Sequence, residues 1–213
     1  MTRDEAITLV LNRLGNRAND TVLTAQAVLE LQHVQEQMEL KEELPDFLLT
    51  ERATASTIAD EERLPVPTNF LLELEEGALF ITNDDGTEIE LEKDDYDVLR
   101  NKFASVAATL PTRYALRNDY FVLFPKPNKA YTVRMAYYKK DTVLSSDVTN
   151  QWLTYAPDVM INGLGEVLAG EYLHNAALRD RFAARGSGAV RRMYNRDTAL
   201  KEANKKRNMG DGP

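Results

Sequence analysis

The chain of 213 residues has no cysteine, only two histidines and no long run of apolar residues. The absence of cysteine excludes disulfides, a thiolate nucleophile and cysteine-ligated metals. No segment approaches the roughly 18 continuous apolar residues of a membrane-spanning helix. Because the N-terminus also lacks the apolar run of a signal peptide, we expect the protein to stay in the cytoplasm or in a particle assembled there.

Catalytic motifs are lacking as well. Gly163 and Gly165 have no third glycine at the dinucleotide-binding spacing and no predicted strand before them. Asp84-Asp85-Gly86 lacks the later ligands of a calcium loop and is typical of a hairpin turn. Neither a phosphate-binding loop nor a Gly-x-Ser-x-Gly motif occurs. The sequence therefore predicts no enzyme and no cofactor.

Both histidines close a Glu-x-x-His pattern, Glu30 with His33 and Glu171 with His174. Paired patterns of this kind hold two iron ions in some helical bundles. On an ideal helix, however, His33 lies roughly 150° from the centre of the apolar stripe of its helix. It would point away from the core, and the remaining motif cannot hold two metals. We therefore predict no metal site, and a metalloenzyme using His174 stays an alternative.

Basic residues are scarce in the first half of the chain and concentrated at its end. Residues 1–110 carry 9 Lys and Arg against 24 Asp and Glu, whereas residues 174–213 carry 10 against 4. The net charge of −8 argues against a surface that binds DNA throughout. An acidic body with a basic end can orient copies on a partner, since unlike ends attract. An unevenly charged solvated surface is the alternative interpretation.

The apolar pattern predicts two helices at the N-terminal end. The first begins at Thr2 and ends at Gly15, a usual C-terminal residue of helices. The second runs from Asp20 or Thr21 to about Glu43 and ends before Pro45. Spacings of three and four residues place its apolar residues on one face. These are Val28, Leu31, Val34 and Met38.

Helix returns near the C-terminal end. Pro157 suits a first turn, and Gly163 and Gly170 fall on one side of the helix, where another chain could approach closely. Gly186-Ser187-Gly188 is expected to loosen or break the helix. The last amphipathic segment is basic, with Val190, Met193 and Leu200 as its apolar members.

Between these helices the period of the pattern changes to that of strands. A turn at residues 83–86 separates two of them, and Asp94 or Asp95 begins a short helix. The sequence thus predicts an α+β fold. Residues 1–46 and 145–207 form a helical body, residues 47–144 an inserted small antiparallel β domain, and residues 208–213 a flexible tail. The predicted strands are Leu71–Leu74, Ala78–Thr82, Glu88–Leu91, Arg113–Leu116, Tyr120–Phe124 and Tyr131–Tyr138.

This order of elements, with its short motifs, resembles the head-to-tail adaptor proteins (connectors or gatekeepers) of tailed bacteriophages. The motifs are Leu44-Pro45-Asp46-Phe47-Leu48, Leu64-Pro65-Val66-Pro67-Thr68-Asn69-Phe70, Tyr155-Ala156-Pro157-Asp158-Val159-Met160-Ile161 and Leu168-Ala169-Gly170-Glu171-Tyr172-Leu173.

The resemblance implies a structural virion protein without catalytic activity. Such proteins form a homo-oligomeric ring, commonly a dodecamer, between the portal protein and the tail or nozzle protein. Genomic DNA passes through the ring without sequence-specific binding, and no membrane is involved. The expected location is the portal–tail junction of the virion, after assembly in the host cytoplasm.

Two surfaces are expected to carry this role. The ring interface is predicted to include Gly163 and Gly170. The basic end is predicted to dock on a partner, most simply the portal, because rim charges steer an encounter while apolar residues anchor it. A nucleic-acid-binding module that uses the basic end stays an alternative. Tyr131, Tyr137 and Tyr138 with Lys139 and Lys140 could form a stacking surface for single-stranded nucleic acid, but aromatics that alternate along a strand more often form core and cross-strand pairs. The predicted partner-binding residues are Val190, Arg191, Arg192, Met193, Arg196, Leu200, Lys205, Lys206 and Arg207.

Overall fold

The computed structural model describes the backbone of residues 1–210 and the side chains of residues 1–199. The chain divides into two compact units. One unit, the helical body, comprises Met1–Leu48 and the chain from Asp141 onward, and the other, the β unit, comprises Leu49–Lys140. With helices in the first and two small sheets in the second, the predicted α+β class is confirmed. The domain boundaries at residues 46/47 and 144/145 stay a prediction.

The helical body is formed by both ends of the chain. Its elements are α1 (Arg3–Arg13), α2 (Thr21–Glu39), a 3₁₀ turn (Asp46–Leu48), α4 (Gln151–Tyr155), α5 (Pro157–Val167), a π-helical turn (Leu168–Tyr172) and α6 (Ala176–Gly210).

The helices begin where the sequence supplies acceptors for free backbone amides. Thr2 and Glu5 form a capping box at the start of α1. The Asp20 side chain accepts from the amide of Leu23 at the start of α2, and Pro157 is the first residue of α5. These predicted starts are therefore confirmed.

Helix α5 lies at the centre of the helical body and packs against α1, α2 and α6. It is buried on nearly all sides, as its apolar composition requires. Two of its glycines permit close packing. A Cβ at Gly163 would lie 2.8 Å from Val34 Cγ1, and a Cβ at Gly165 would lie 2.4 Å from the Phe182 ring. Both glycines thus let neighbouring helices approach α5 closely.

A buried polar cluster connects α2 with residues 141–152, the segment that follows the β unit. Glu39 Oε1 accepts from Gln35 Nε2 at 2.9 Å and from Trp152 Nε1 at 3.0 Å. Asp141 Oδ2 accepts from the backbone amides of Gln151 and Trp152 at 2.7 and 3.1 Å. Because buried polar groups are costly without partners, these bonds define where α4 begins and where it packs.

The β unit contains two sheets and one helix. The first sheet has the order β1-β9-β4-β5, and β3 also pairs with β9; the second has the order β2-β8-β7-β6. All pairs are antiparallel except the short pair of β6 with β7. The elements are β1 (Leu49–Ser56), β2 (Arg63–Pro65), β3 (Phe70–Glu73), β4 (Leu79–Thr82), β5 (Glu88–Glu90), β6 (Glu92–Lys93), α3 (Tyr96–Phe103), β7 (Arg113–Arg117), β8 (Tyr120–Phe124) and β9 (Thr132–Lys139).

Local predictions in the β unit are confirmed. Strands β4 and β5 pair across the turn at residues 83–86, where the Asn83 amide donates to the Thr87 carbonyl at 2.9 Å. Asp95 caps α3, whose buried Leu99 packs in a small cluster on β7 and β8. The main core lies between the two sheets and contains Leu79, Ile81, Leu123 and Val133 among others.

The structure corrects several details of the helices. Helix α2 ends at Glu39 rather than near Glu43. Helix α6 is continuous through Gly186-Ser187-Gly188, so the predicted break is wrong. Residues 208–210 belong to α6, whereas residues 211–213 of the predicted flexible tail lie outside the described part of the chain.

Candidate subunit and partner contact surfaces

A groove opens between α2 and α6 with α5 at its base, and we call it the α2–α6 groove. It brings together Gly163 from the predicted ring interface with Val190 and Arg191 from the predicted partner-binding segment. The floor is apolar, and Lys41, Glu166 and Arg191 lie exposed around it. Its lining residues are Val34, Met38, Lys41, Val159, Gly163, Glu166, Ala183, Gly186, Ser187, Val190 and Arg191.

The two predicted ring-interface glycines lie in different surroundings. Gly163 is half-buried at the floor of the groove, where its missing side chain makes room for Val34 of the same chain. Gly170 lies in the π-helical turn, and a Cβ there would be 3.1 Å from Arg179 Cδ. Each glycine therefore has a packing role within its own chain, and their part in a ring interface stays a prediction.

A second cleft lies on the other side of α6, beside residues Tyr155–Val159. Arg192 Nη2 lies 3.6 Å from Asp158 Oδ2, an ion pair between two exposed side chains. Arg196 Cζ lies 6.0 Å from the centre of the Tyr155 ring, and that ring stacks on Phe47 with centroids 5.6 Å apart. The predicted residues Arg192 and Arg196 thus occupy one cleft.

The inner face of α6 is attached to its own chain in this region. Ala189, Met193 and Asp197, four residues apart, are all buried, and Met193 is only 8% exposed. Asp197 Oδ2 accepts from the Asp46 amide at 3.1 Å. The Tyr194 hydroxyl donates to the Glu43 carbonyl at 2.6 Å. Burial, with the charges of Glu43 and Asp197, raises the pKa of Tyr194. Met193 therefore packs α6 against the helical body of the same chain.

The outer face of α6 is basic and solvated. Arg181, Arg185, Arg191, Arg192 and Arg196 are exposed. Among the side chains that the structure describes, Arg192 alone of these five has an ion pair. The other predicted partner-binding residues also belong to α6, but their side chains lie outside the described residues. They are Leu200, Lys205, Lys206 and Arg207.

An apolar surface that the sequence analysis missed lies on the solvent side of α2. Val22, Leu29 and Leu40 have exposed fractions of 72%, 65% and 76%. Spacings of seven and eleven residues bring them to one face of the helix, within about 20° of each other. We call this set the α2 ridge. Its spacing is visible in the sequence, but the stripe of Val28, Leu31, Val34 and Met38 already accounts for one apolar face of α2, and a helix on a protein surface usually has only one.

The remaining candidate sites have less support in the structure. Tyr131 and Tyr137 are buried in the core of the β unit, as the preferred interpretation of these aromatics expected, and are not available to stack on nucleic acid. His33 and His174 are both exposed. Within the described residues, no group of three His, Asp or Glu side chains is placed to hold a metal ion. Nor does that part of the chain contain a helix long and apolar enough to cross a membrane.

Comparison with known proteins identifies the family. A search of curated proteins gives no match. The family model described as SU10 adaptor protein, which represents a phage head-to-tail adaptor family, matches residues 1–211. This match covers the helices of both chain ends and the β unit between them. The predicted resemblance is thus confirmed, and the chain belongs to the SU10 adaptor protein family.

Proposed function

We propose that this protein is a subunit of a closed ring between the portal and the tail of a phage particle, through which the genome passes. The family match over residues 1–211 carries the proposal. The surfaces of the helical body support it, because the unit exposes an apolar ridge, an apolar groove and a row of arginines. Such a set of distinct surfaces suits a subunit with several neighbours.

The ring is proposed to be a dodecamer that assembles on the portal in the host cytoplasm. A head-to-tail contact that closes by rotation generates a ring, whereas one that does not close generates a filament. The test is the native mass of the full-length protein, alone and after mixing with the portal protein. A defined complex of one closed ring per portal supports the proposal. Open-ended polymers, or no complex with the portal, would overturn it.

The basic outer face of α6 is proposed to dock on the portal. Arg191, Arg192 and Arg196 are exposed, and the exposed ion pair of Arg192 with Asp158 leaves it accessible to a partner. Acidic groups on that partner would steer the encounter. Met193 does not contribute, since it is buried in its own chain. Val190 lines the α2–α6 groove, so Leu200, whose side chain lies outside the described residues, stays the predicted apolar anchor on the portal.

The docking test must leave the fold of the helical body intact. A chain that stops after Ala199 keeps the buried residues Ala189, Met193 and Asp197 and removes the last basic cluster. The triple change Arg191→Glu, Arg192→Glu and Arg196→Glu reverses the charge of the exposed arginines in the predicted docking segment. We expect both variants to fold and to bind portal-bearing heads more weakly, with a reduced dependence on salt.

Arg52→Glu is the matched control, because Arg52 is exposed on β1 in the other unit. It should bind heads as the unchanged protein does. If the shortened chain and the triple variant also bind heads and retain the genome normally, α6 is not the docking element. Tight, steeply salt-dependent binding of the isolated protein to DNA would instead favour the nucleic-acid-binding alternative.

A further inference from the structure

The α2 ridge is an unusual surface for a solvated helix. Single exposed aliphatic side chains are normal on proteins. Here Val22 and Leu29 of α2 lie in line with Leu40, the C-cap residue of the helix, on the side opposite buried residues such as Leu31. Exposed His33 and Glu36 also lie on this side, between Leu29 and Leu40. The helix thus has a second, partly apolar face, which has no partner among the described residues. A second apolar face indicates contact with another helix or chain.

The α2–α6 groove is the complementary shape on the same unit. Its floor contains Val34, Val159, Gly163 and Val190, none of them charged. Val34 lies about 120–140° around α2 from the ridge residues. Helix α2 is thus one wall of the groove and cannot also lie in it. A ridge that fills this groove must come from a different molecule.

Charge favours the same pairing. Helix α2 contains Glu30, Glu36 and Glu39 and no Lys or Arg. Glu36 is exposed, and its position on the helix is about 20° from Leu29. At the rim of the groove, Lys41 and Arg191 are exposed, and neither has an ion pair among the described side chains. Glu36 is the carboxylate of α2 that lies on the ridge, since Glu39 is buried in its own chain. A ridge with this carboxylate is electrostatically matched to a groove with two cations at its rim, although Glu166 offsets one of these charges.

We propose that the α2 ridge of one copy packs into the α2–α6 groove of the next copy. The inference rests on the proposed ring, since it names the surfaces through which the ring forms. Because ridge and groove are different surfaces, the contact is heterologous and repeats around the ring. Gly163 is then covered by the neighbouring copy and contributes to the interface from the groove floor.

Engineered cysteines test this contact directly, because the chain has none of its own. Leu29→Cys places a thiol on the ridge, and Ser187→Cys places one in the exposed lining of the groove. The full-length double variant should form a ladder of dimers, trimers and larger species under mild oxidation. Each single variant should form no cross-link, and a mixture of the two should stop at dimers. This pattern is specific to a heterologous contact.

The readout is taken both in solution and on portal-bearing heads. A ladder in either setting, with unlinked single variants, supports the proposal. Dimers from a single variant would indicate a symmetric contact and would overturn it. If the double variant occupies the heads in normal amount without a ladder in either setting, this interface is wrong while the adaptor function stands. If the chain is absent from heads, the proposed function fails, and the ladder in solution still decides the interface.

A second experiment uses charge on the ridge. Leu29→Glu should weaken self-association at least about tenfold, because burying a leucine side chain contributes more than the 1.4 kcal/mol of a tenfold change. Its melting temperature should not fall, since Leu29 is 65% exposed. Val143→Glu is the matched control, because Val143 is 70% exposed and lies outside both surfaces. If Leu29→Glu and Val143→Glu both self-associate as strongly as the unchanged protein, the proposed contact is wrong.

Discussion

At the scale of single residues, glycines of the helical body differ sharply in what surrounds them. A Cβ at Gly165 would lie 2.4 Å from two atoms of the Phe182 ring, a distance that requires rearrangement of a buried aromatic side chain. A Cβ at Gly188 would meet only Arg192 Nη1 at 3.5 Å, the end of a flexible side chain. The same substitution should therefore have opposite effects at the two positions.

We expect Gly165→Ala to lower the free energy of unfolding by about 1–3 kcal/mol, the usual effect of overpacking. Gly188→Ala should raise it by up to about 1 kcal/mol, because alanine is the better helix former. Urea unfolding of the two variants beside the unchanged protein measures both effects. If both substitutions change the free energy of unfolding equally and in the same direction, the space beside each glycine does not determine the effect of the added methyl group.

A buried tyrosine gives the β unit a dependence on alkaline pH. The Tyr114 hydroxyl donates to Glu73 Oε2 at 3.2 Å. Burial, with the negative charge of Glu73, raises the pKa of Tyr114 far above its ordinary value of 10.0. The folded state therefore keeps this proton where the unfolded state has lost it. Its contribution is fully present below a pH of about 10 and declines as the pH rises further.

Tyr114→Phe should accordingly flatten the loss of stability above a pH of about 10, while lowering stability at neutral pH through the lost hydrogen bond. Burial also raises the pKa of Tyr137, so we expect a reduced slope rather than none. Unfolding free energies across the alkaline range provide the measurement, with exposed Tyr120→Phe as control. The same slope in Tyr114→Phe and the control would contradict the assignment.

At the scale of elements, α6 shows what sequence patterns could not predict. Gly186-Ser187-Gly188 has low helix propensity, roughly 1 kcal/mol per glycine, which is why a break was expected. The helix continues because Phe182, Ala189 and Met193 on either side are buried against the helical body. Tertiary packing thus outweighs local propensity, and this packing depends on α5, whose position a one-dimensional pattern does not contain.

Other elements followed directly from local chemistry. The capping residue Thr2, the first-turn residue Pro157 and the turn at residues 83–86 act on their immediate neighbours, so the sequence alone predicted them. Helix α4 was missed because it has only five residues, too few for a periodic pattern. The α2–α6 groove was not predictable, since its walls come from three helices distant in sequence.

Shortening α6 tests the importance of its inner face. A chain that stops after Gly188 loses the buried residues Ala189, Met193 and Asp197, together with the hydrogen bond to Asp46. We expect it to be less stable by at least about 2–5 kcal/mol, the usual effect of removing one large buried side chain. A chain that stops after Ala199 keeps these contacts and should melt near the unchanged protein. Thermal unfolding of the two shortened chains distinguishes them, and equal melting temperatures would refute the role of this face.

At the scale of the whole molecule, the β unit is an insertion with neighbouring ends. Its first and last strands pair with each other, with Leu49 opposite Tyr138. Antiparallel partners of this kind have Cα atoms about 5 Å apart. A short Gly-Ser linker can therefore join Leu48 to Asp141 without stretching the chain.

We expect the helical body with this linker to fold without the β unit, and residues 49–140 to fold alone, because each has its own core. Circular dichroism should show a helical spectrum for the first and a strand spectrum for the second, each with a cooperative thermal transition. If either piece lacks a cooperative transition, that piece does not fold independently, and the predicted domains are not separate folding units.

The pairing of β1 with β9 also determines how the protein responds to mechanical load. When the chain is pulled at Leu49 and Lys140, the force opens the β1–β9 ladder from the end where the two strands meet. Its hydrogen bonds then break one after another, as in a zipper, and do not resist together as they would in shear. The β unit should therefore extend at low force in a single-molecule pulling experiment with handles at these two positions. It should extend at higher force with handles at Leu49 and Thr132, which lie on different strands at opposite ends of the ladder and load it in shear.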